Sequence, residues 1–507
     1  MKADKIVDLD QLGRLAAEAR AAGRRVVLCH GTFDLIHIGH VRHLQRAGAE
    51  GDCLFVTITA DRFVNKGPGR PIFNQQLRAE NLAALEVVAH VAIVDDRTAI
   101  PAIEAVKPTV YAKGSDYQKP QDDLTGNIVK EQNAVIAGGG RTVYTDDIVF
   151  SSSQLLNEHF NVFSPDVKDY LRHFGERYQA KDIIEQVKAL QGLKVLVVGD
   201  AIVDEYHYTQ PMGQTGKGNI LAVKHQEVEQ FAGGSLAVAN HVAGYCDQVS
   251  LLTLLGGRES FEPFIREKLK DNIKPTFFYR EDAPTVRKSR FVDGASSKLF
   301  EVYYYEDSPL PPRLDEELCD WLCQHLPEYD CVIVPDFGNG FISRNMARTL
   351  SEHAPFLAVN TQINSGNRGF HTVNRYPRAD FVSLNEPELR LAVHNRSDPI
   401  DVVARQVGER VKAHYVVTTL GREGLLLRDM HDTLSYQVPA LSFKVVDRIG
   451  AGDAFLSLAG ICIAGKLEPE VAGFIGSAAA AIDVQIVCNR ESVEPADLFK
   501  YIVTLLK

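Results

Sequence analysis

Residues 31–40 read GTFDLIHIGH, directly after the apolar run Val26 to Cys29. The pattern is a strand, a glycine-containing turn and a helix start. Such a turn leaves backbone N–H groups unpaired beside the positive end of a helix dipole, which suits phosphate. A second stretch of the same design, DRIGAGD at 447–453, stands between the strand-like FKVV and the apolar run AFLSLAGICIAG. Around the first, strand-like runs (RVVLC, CLFVTIT, VAHVAIVD, TVYAKG, RTVYT) alternate with helical patterns from about Arg25 to Tyr144; around the second, a like series starts at LKVLVVGD, 193–200. This alternation predicts an α/β protein of two doubly wound parallel-sheet domains. The expected division is 1–160, a charged helical connector at 161–191, and 192–507. TVRKSRFVDGASSKLFEVYYYED, 285–307, is expected as a hairpin forming a small β lid.

The 507 residues, 45% apolar and 24% charged, suit two or three globular domains. A net charge of −11 works against nucleic-acid or anionic-membrane partners, so a small anionic substrate needs a locally basic pocket. Eight cysteines without a CxxC pair, and no signal-like or membrane-spanning apolar stretch, predict a reduced, cytoplasmic protein. No spacing argues for zinc; magnesium delivered with a nucleotide is the only metal expected.

His37 and His40, three residues apart at a helix start, fall on one face and can donate to a triphosphate as charge builds during α-phosphoryl attack. With Gly31, Thr32, Phe33 and Asp34 before them, GTFDxxHxGHxxxL resembles the cytidylyltransferase-like nucleotidyltransferases. The resemblance implies nucleotide contacts from those four residues, from Arg78 in QQLRAENL, from Lys113 in KGSDY and from Ser151, Ser152 and Ser153. It implies catalytic roles for His37, His40 and the mobile-loop lysine Lys66, and substrate contacts from Asp61 and Asp116. The HxGH architecture leaves ATP and CTP both open, and with them a cytidylyltransferase for a polyol or other alcohol phosphate.

At the second stretch, the amides of Gly450, Ala451 and Gly452 can form an anion hole for a transferring γ-phosphate while Asp453 takes a proton from the attacking hydroxyl. This region resembles the ribokinase-like (PfkB) sugar kinases. The resemblance implies sugar contacts from Asp200 and Asp204 in VVGDAIVDEY, and from Gly233, Gly234 and Asn240 in FAGGSLAVAN. It implies nucleotide contacts from Asn385, Thr419, Gly421 and Gly424, with Glu388 of LNEPE organising magnesium indirectly. Lys288 and Arg290 of the lid, Asp336 and Asp447 are further expected substrate contacts. Arg448 stands where that family usually has threonine, and Ser477 where many members have asparagine.

Taken whole, the chain resembles the bifunctional ADP-heptose synthases with the domain order reversed. That implies a sugar kinase using Mg·ATP and a sugar-phosphate nucleotidyltransferase using magnesium with ATP or CTP, with a possible homodimer through the kinase lid. A different expectation is a sugar-sensing or scaffold protein whose kinase half only binds ligand.

Overall fold

The apolar runs around GTFDLIHIGH are strands. The computed structural model describes residues 5–507 except 65–69, 115–126, 146–162, 217, 294–296, 433 and 443. The chain divides into two units, Met1–Ser164 with Phe499–Lys507, and Pro165–Leu498. In the first unit, β1 (Ile6–Val7), β2 (Val26–Gly31), β3 (Cys53–Thr59), β4 (Val88–Val94), β5 (Val110–Gly114) and β6 (Arg141–Thr145) form one sheet. Its order is β1-β4-β3-β2-β5-β6, and every adjacent pair is parallel. Val27 and Cys29 of β2 pack with Leu44 and Leu82 on one face; Val26 and Leu28 pack with Leu12 and Ile103 on the other. Cover on both faces explains why β2 reads as a continuous apolar run. Strands β3 and β4 lie to one side of β2, and β5 and β6 to the other, so the turn after β2 opens at the switch point where α/β sheets bind ligands.

The second unit contains β7 (Lys194–Val198), β8 (Ala201–Gln214), β9 (Leu221–Gly234), β10 (Gln248–Arg258), β11 (Ile273–Pro284), β12 (Val286–Val292), β13 (Lys298–Tyr304) and β14 (Cys331–Asp336), followed by β15 (Leu357–Thr361), β16 (Phe381–Asn385), β17 (Tyr415–Thr419), β18 (Leu425–Asp429) and β19 (Ser435–Val438). The body sheet runs β11-β10-β7-β14-β15-β16-β17-β18-β19. Its strand order reverses between β7 and β14, which places Asp200 and Asp336 at the second switch point.

The lid is larger than the expected hairpin. Strands β12 and β13 do pair antiparallel, but the 14-residue β8 and β9 join them in a four-stranded sheet, β13-β12-β8-β9. The outer parts of both long strands are largely solvent-facing and mix polar residues with exposed Met212, Leu221 and Val228, which erases the alternation that marks a half-buried strand. The helices Pro165–Arg177 and Ala180–Lys188, expected as a connector, belong to the second unit. Phe174 stacks on Phe474 at 4.3 Å, and Arg177 pairs with Glu470 at 2.6 Å.

Candidate active sites

His37 caps the helix Ile38–Ala49 with its own ring: Nδ1 accepts from the Gly39 N–H at 3.1 Å. The His37 N–H in turn donates to His40 Nδ1 at 3.4 Å, and the two rings stack with centroids 4.0 Å apart. A ring whose Nδ1 accepts carries its proton on Nε2 when neutral. Both neutral rings therefore carry the proton on Nε2, and the Nε2–H of His37 is buried without a hydrogen-bond partner. Burial holds the His37 pKa below its ordinary value, which favours this neutral form.

The neighbouring residues build the turn. Phe33 takes a left-handed backbone (φ 49°) and sets its ring edge-on to His40 at 5.5 Å; a Cβ at Gly31 would lie 3.2 Å from that ring. Asp34 Oδ1 accepts from the N–H groups of Ile72 and Phe73 at 2.7 and 3.1 Å, anchoring the segment that follows residues 65–69.

Several expected nucleotide or substrate contacts have other partners here. Arg78 is fully buried and donates to the carbonyls of Thr32 (2.6 Å), Thr59 (2.8 Å) and Phe73 (3.0 Å), and to Asp61 (2.7 Å). It clips the turn after β2 to the end of β3. Asp61 also accepts from the Gln75 N–H at 3.0 Å, so it organises the start of the helix Gln75–Ala83. Lys113 pairs with Glu131 at 3.0 Å. His30, not expected, is bracketed by the hydroxyls of Thr57 and Thr59 at 3.0 and 3.3 Å, and burial, with Lys113 nearby, lowers its pKa to about 3. Lys66, Asp116, Ser151, Ser152 and Ser153 lie outside the described residues.

In the second unit Gly450 (φ 102°) precedes the helix Ala451–Ala464, whose first residues Ala451, Gly452 and Asp453 present unpaired amides and a carboxyl together. A Cβ at Gly450 would meet Asn489 Oδ1 at 2.5 Å and Asp483 Oδ2 at 2.7 Å, so the turn tolerates no side chain. Burial, then the charge of Asp204, raise the Asp453 pKa to about 7, against the pull of Lys288. Lys288 is buried between the rings of Tyr303 and Phe337, within electrostatic reach of Asp204, Asp200 and Asp453. Gly233 lets Asp204 approach its backbone: a Cβ there would lie 1.9 Å from Asp204 Oδ2. Gly234, in a left-handed backbone, starts the helix Ser235–Ala243. Asp204, Lys288, Asp200 and Asp453 thus come together, with Gly233 against them.

Other expected contacts have partners within the chain. Arg290 pairs with Asp204 and with Glu301 at 3.2 Å. Asn240 donates to Lys268 O (2.9 Å) and accepts from the Lys270 N–H (3.0 Å), which ties its helix to the segment before β11. Asp336, 1% exposed, is held by His371 (3.2 Å), Arg375 (3.2 Å) and the Tyr376 hydroxyl (2.7 Å). Asp447 accepts from Tyr206, Lys298 and three backbone N–H groups. Thr419, Gly421 and Gly424 form the turn between β17 and β18.

Asn385 and Glu388 form a reciprocal cap on the helix Glu386–Val393. Glu388 Oε2 accepts from the Asn385 N–H at 2.9 Å and Oε1 from the Ile363 N–H at 3.1 Å. Each oxygen keeps one lone pair, which fits holding a magnesium-bound water rather than the metal itself. Among the described residues no three His, Cys, Asp or Glu side chains are grouped to hold a metal, and no helix is long and apolar enough to cross a membrane.

Residues 28–154 match the cytidylyltransferase-like family model. The chain is 45% identical over 122 residues to the bifunctional protein HldE of Methylobacillus flagellatus, covering 24% of this chain and 25% of that one. It is 38% identical over 141 residues to HldE of Wolinella succinogenes, covering 27% and 30%. The chain therefore matches less than a third of the length of these relatives. Phosphofructokinase-2 from Escherichia coli, solved in complex with potassium, shares the fold at 17% identity and a TM-score of 0.50, covering 62% of this chain and 100% of that one. Residues 193–494, more than half of the chain, match the model of the pfkB family of carbohydrate kinases, and the chain belongs to that family.

Proposed function

We propose that this chain is a bifunctional transferase of the ADP-heptose synthase kind, with a sugar-phosphate nucleotidyltransferase in the first unit and a sugar or sugar-phosphate kinase in the second, the order reversed from those synthases. The kinase reading is carried by Asp453, a carboxyl with its pKa near 7 at the amide turn Gly450–Gly452. It takes the proton of a sugar hydroxyl; the oxygen forms a bond to the γ-phosphorus as the bond to the ADP oxygen breaks, and the amides hold the developing charge. Glu388, capping its helix with Asn385, would hold a water of the magnesium bound with the nucleotide, and that ion would neutralise phosphate charge. In the first unit the substrate's phosphate oxygen is the nucleophile, the Nε2–H groups of His37 and His40 meet the α-phosphate oxygens, and pyrophosphate leaves.

The lid supports a homodimer. A row of Phe300, Phe291, His207 and Val228 crosses all four strands in register on one face, the rings stacked at 4.5 Å, with Phe300 45% exposed. An exposed aromatic row of this kind suits a self-complementary contact. All eight cysteines are free, which supports a reducing compartment.

The test is incubation with ATP or CTP, magnesium and a panel of sugar phosphates, reading ADP and pyrophosphate separately. His40→Ala abolishes only pyrophosphate release and Asp453→Asn only ADP formation. Tight sugar binding without ADP from the wild type would reject the kinase reading.

A further inference from the structure

Strand β15 lies between β14 and β16, and the loop that leaves it, 362–371, is bonded to the ends of both neighbours. On one side the Ile363 N–H donates at 3.1 Å to Glu388 Oε1, the carboxylate that caps the helix after β16. On the other side Asn364 Nδ2 and Asn367 Nδ2 both donate to the carbonyl of Phe337, the residue after β14, at 3.2 and 3.3 Å. The Phe337 ring lies 5.3 Å from Lys288 Nζ, the cation within electrostatic reach of Asp453. One loop therefore reaches both the proton-accepting side of the site and the carboxylate that suits a magnesium-bound water.

Two asparagines stiffen this loop. Asn364 Oδ1 accepts from the N–H groups of Gly366 and Asn367 at 2.8 and 2.9 Å, and Asn367 Oδ1 accepts from the Asn364 N–H at 2.8 Å. Such side chain–backbone bonds replace the ladder that a loop lacks. Asn367 Nδ2 adds a bond to the Gln362 carbonyl at 3.2 Å, and the Asn367 carbonyl accepts from the N–H groups of Phe370 and His371. Gly338, in a left-handed backbone (φ 65°), admits this amide, since a Cβ there would lie 2.5 Å from Asn367 Nδ2.

The bonds place polar groups rather than build core: Phe370 is 95% exposed, and Ser365 and Arg368 are exposed with it. They converge on Asn367, whose amide joins Phe337 to Gln362, the neighbour of the Ile363 N–H that meets Glu388. Glu388 is buried, and its second oxygen accepts from the Asn385 N–H. The Ile363 bond thus decides which lone pairs of the carboxylate stay open, as partners behind a metal site do. Burial raises the Glu388 pKa, and the backbone bonds from Asn385 and Ile363 work against that rise, so the loop favours the ionised acceptor.

We infer that Asn367 is a positioning residue of the kinase site, which through Gln362 and Ile363 orients Glu388 toward the water of a nucleotide-bound magnesium ion; this rests on the kinase reading.

Two measurements on the full chain test it. Asn367→Asp keeps the acceptor for the Asn364 N–H and sets a carboxylate oxygen against the carbonyls of Phe337 and Gln362. In the crystal structure of this variant, the Ile363 N–H is expected beyond hydrogen-bond reach of Glu388 Oε1 while the Asn385–Glu388 cap remains; an Ile363–Glu388 bond kept as it is would overturn the inference. In steady-state assays the free magnesium giving half-maximal ADP formation is expected to rise about 10-fold, the lower end for groups that orient a metal's ligands, with a smaller change in sugar KM. An unchanged magnesium requirement, or an equal rise in sugar KM, would refute it. Where Asn367→Asp does not fold, Asn364→Asp, which loses one donated bond in place of two, is read by the same criteria. If no sugar yields ADP from the wild type the kinase reading fails, and the variant's crystal structure still decides whether Asn367 sets Glu388.

Discussion

Lys298, the first residue of the last lid strand, donates to Asp447 Oδ1 at 2.9 Å, and Asp447 opens the turn into Gly450–Gly452. The lid residue Tyr206 donates to Oδ2 of the same carboxylate at 2.5 Å, while the N–H groups of Arg448, Ile449 and Cys488 complete its shell. Burial works to raise the Asp447 pKa, yet Tyr206 and Lys298 hold it below the usual carboxylate value. Two lid residues therefore hold the turn that leads into Gly450–Gly452. Lys298→Met is expected to cut kcat for ADP formation about 10-fold, as loss of a charged hydrogen bond implies, with a smaller change in sugar KM. Lys298→Arg should restore most of the loss. An unchanged kcat in the Met variant would break the coupling.

The raised pKa of Asp453 has two consequences with opposite slopes. As a base, Asp453 works only when ionised, so kcat/KM for ADP formation should climb with pH through an apparent pKa near 7. For stability the sign reverses. Asp453 and Asp200 have folded pKa values of about 7 and about 6, above their ordinary 3.8, so the folded state binds protons more tightly than the unfolded chain. The stabilisation from these two groups is full below pH 4 and is lost as pH rises through 6 to 7. The unfolding midpoint of the second unit should fall between pH 5 and 8, and Asp453→Asn should flatten the decline.

The two turns and the parallel sheets around them were legible because each is local: a strand, a glycine and a helix start lie within about ten residues. What a side chain does at the site was not. Arg78 and Asn240 carry the right identity at the right spacing for ligand contact, yet their partners are carbonyls and amides up to 46 residues away, which no local pattern reveals. No motif singled out Lys298 or Tyr206; their roles come from strands β8 and β13 meeting Asp447 in space. Strands β8 and β9 escaped because their solvent-facing outer halves mix polar and apolar residues without a period of two.

Arg78 is expected to act as a structural clip. In Arg78→Lys a single ammonium replaces a planar fork that reaches three carbonyls and Asp61. Leaving those buried carbonyls unmet should destabilise the first unit by about 2–4 kcal/mol. Pyrophosphate release should fall in step with its unfolding transition, while ADP formation persists. Normal thermal stability with lost nucleotide affinity would return Arg78 to direct contact.

Ile38 is 55% exposed at the start of the helix that His37 caps, so the stability of that helix end leans on its cap rather than on packing. His37 thus combines two tasks, capping through Nδ1 and donating through Nε2, and substitutions can separate them. His37→Asn keeps a good capping side chain and removes the Nε2–H, so unfolding should stay within about 0.5 kcal/mol of wild type. His37→Ala removes both, and about 1 kcal/mol of stability should go with the cap. Pyrophosphate release should drop on the order of 100-fold in both, the loss typical of one transition-state donor, with ADP formation untouched. If His37→Asn releases pyrophosphate at the wild-type rate, the ring serves the helix alone and His40 carries the phosphate contact.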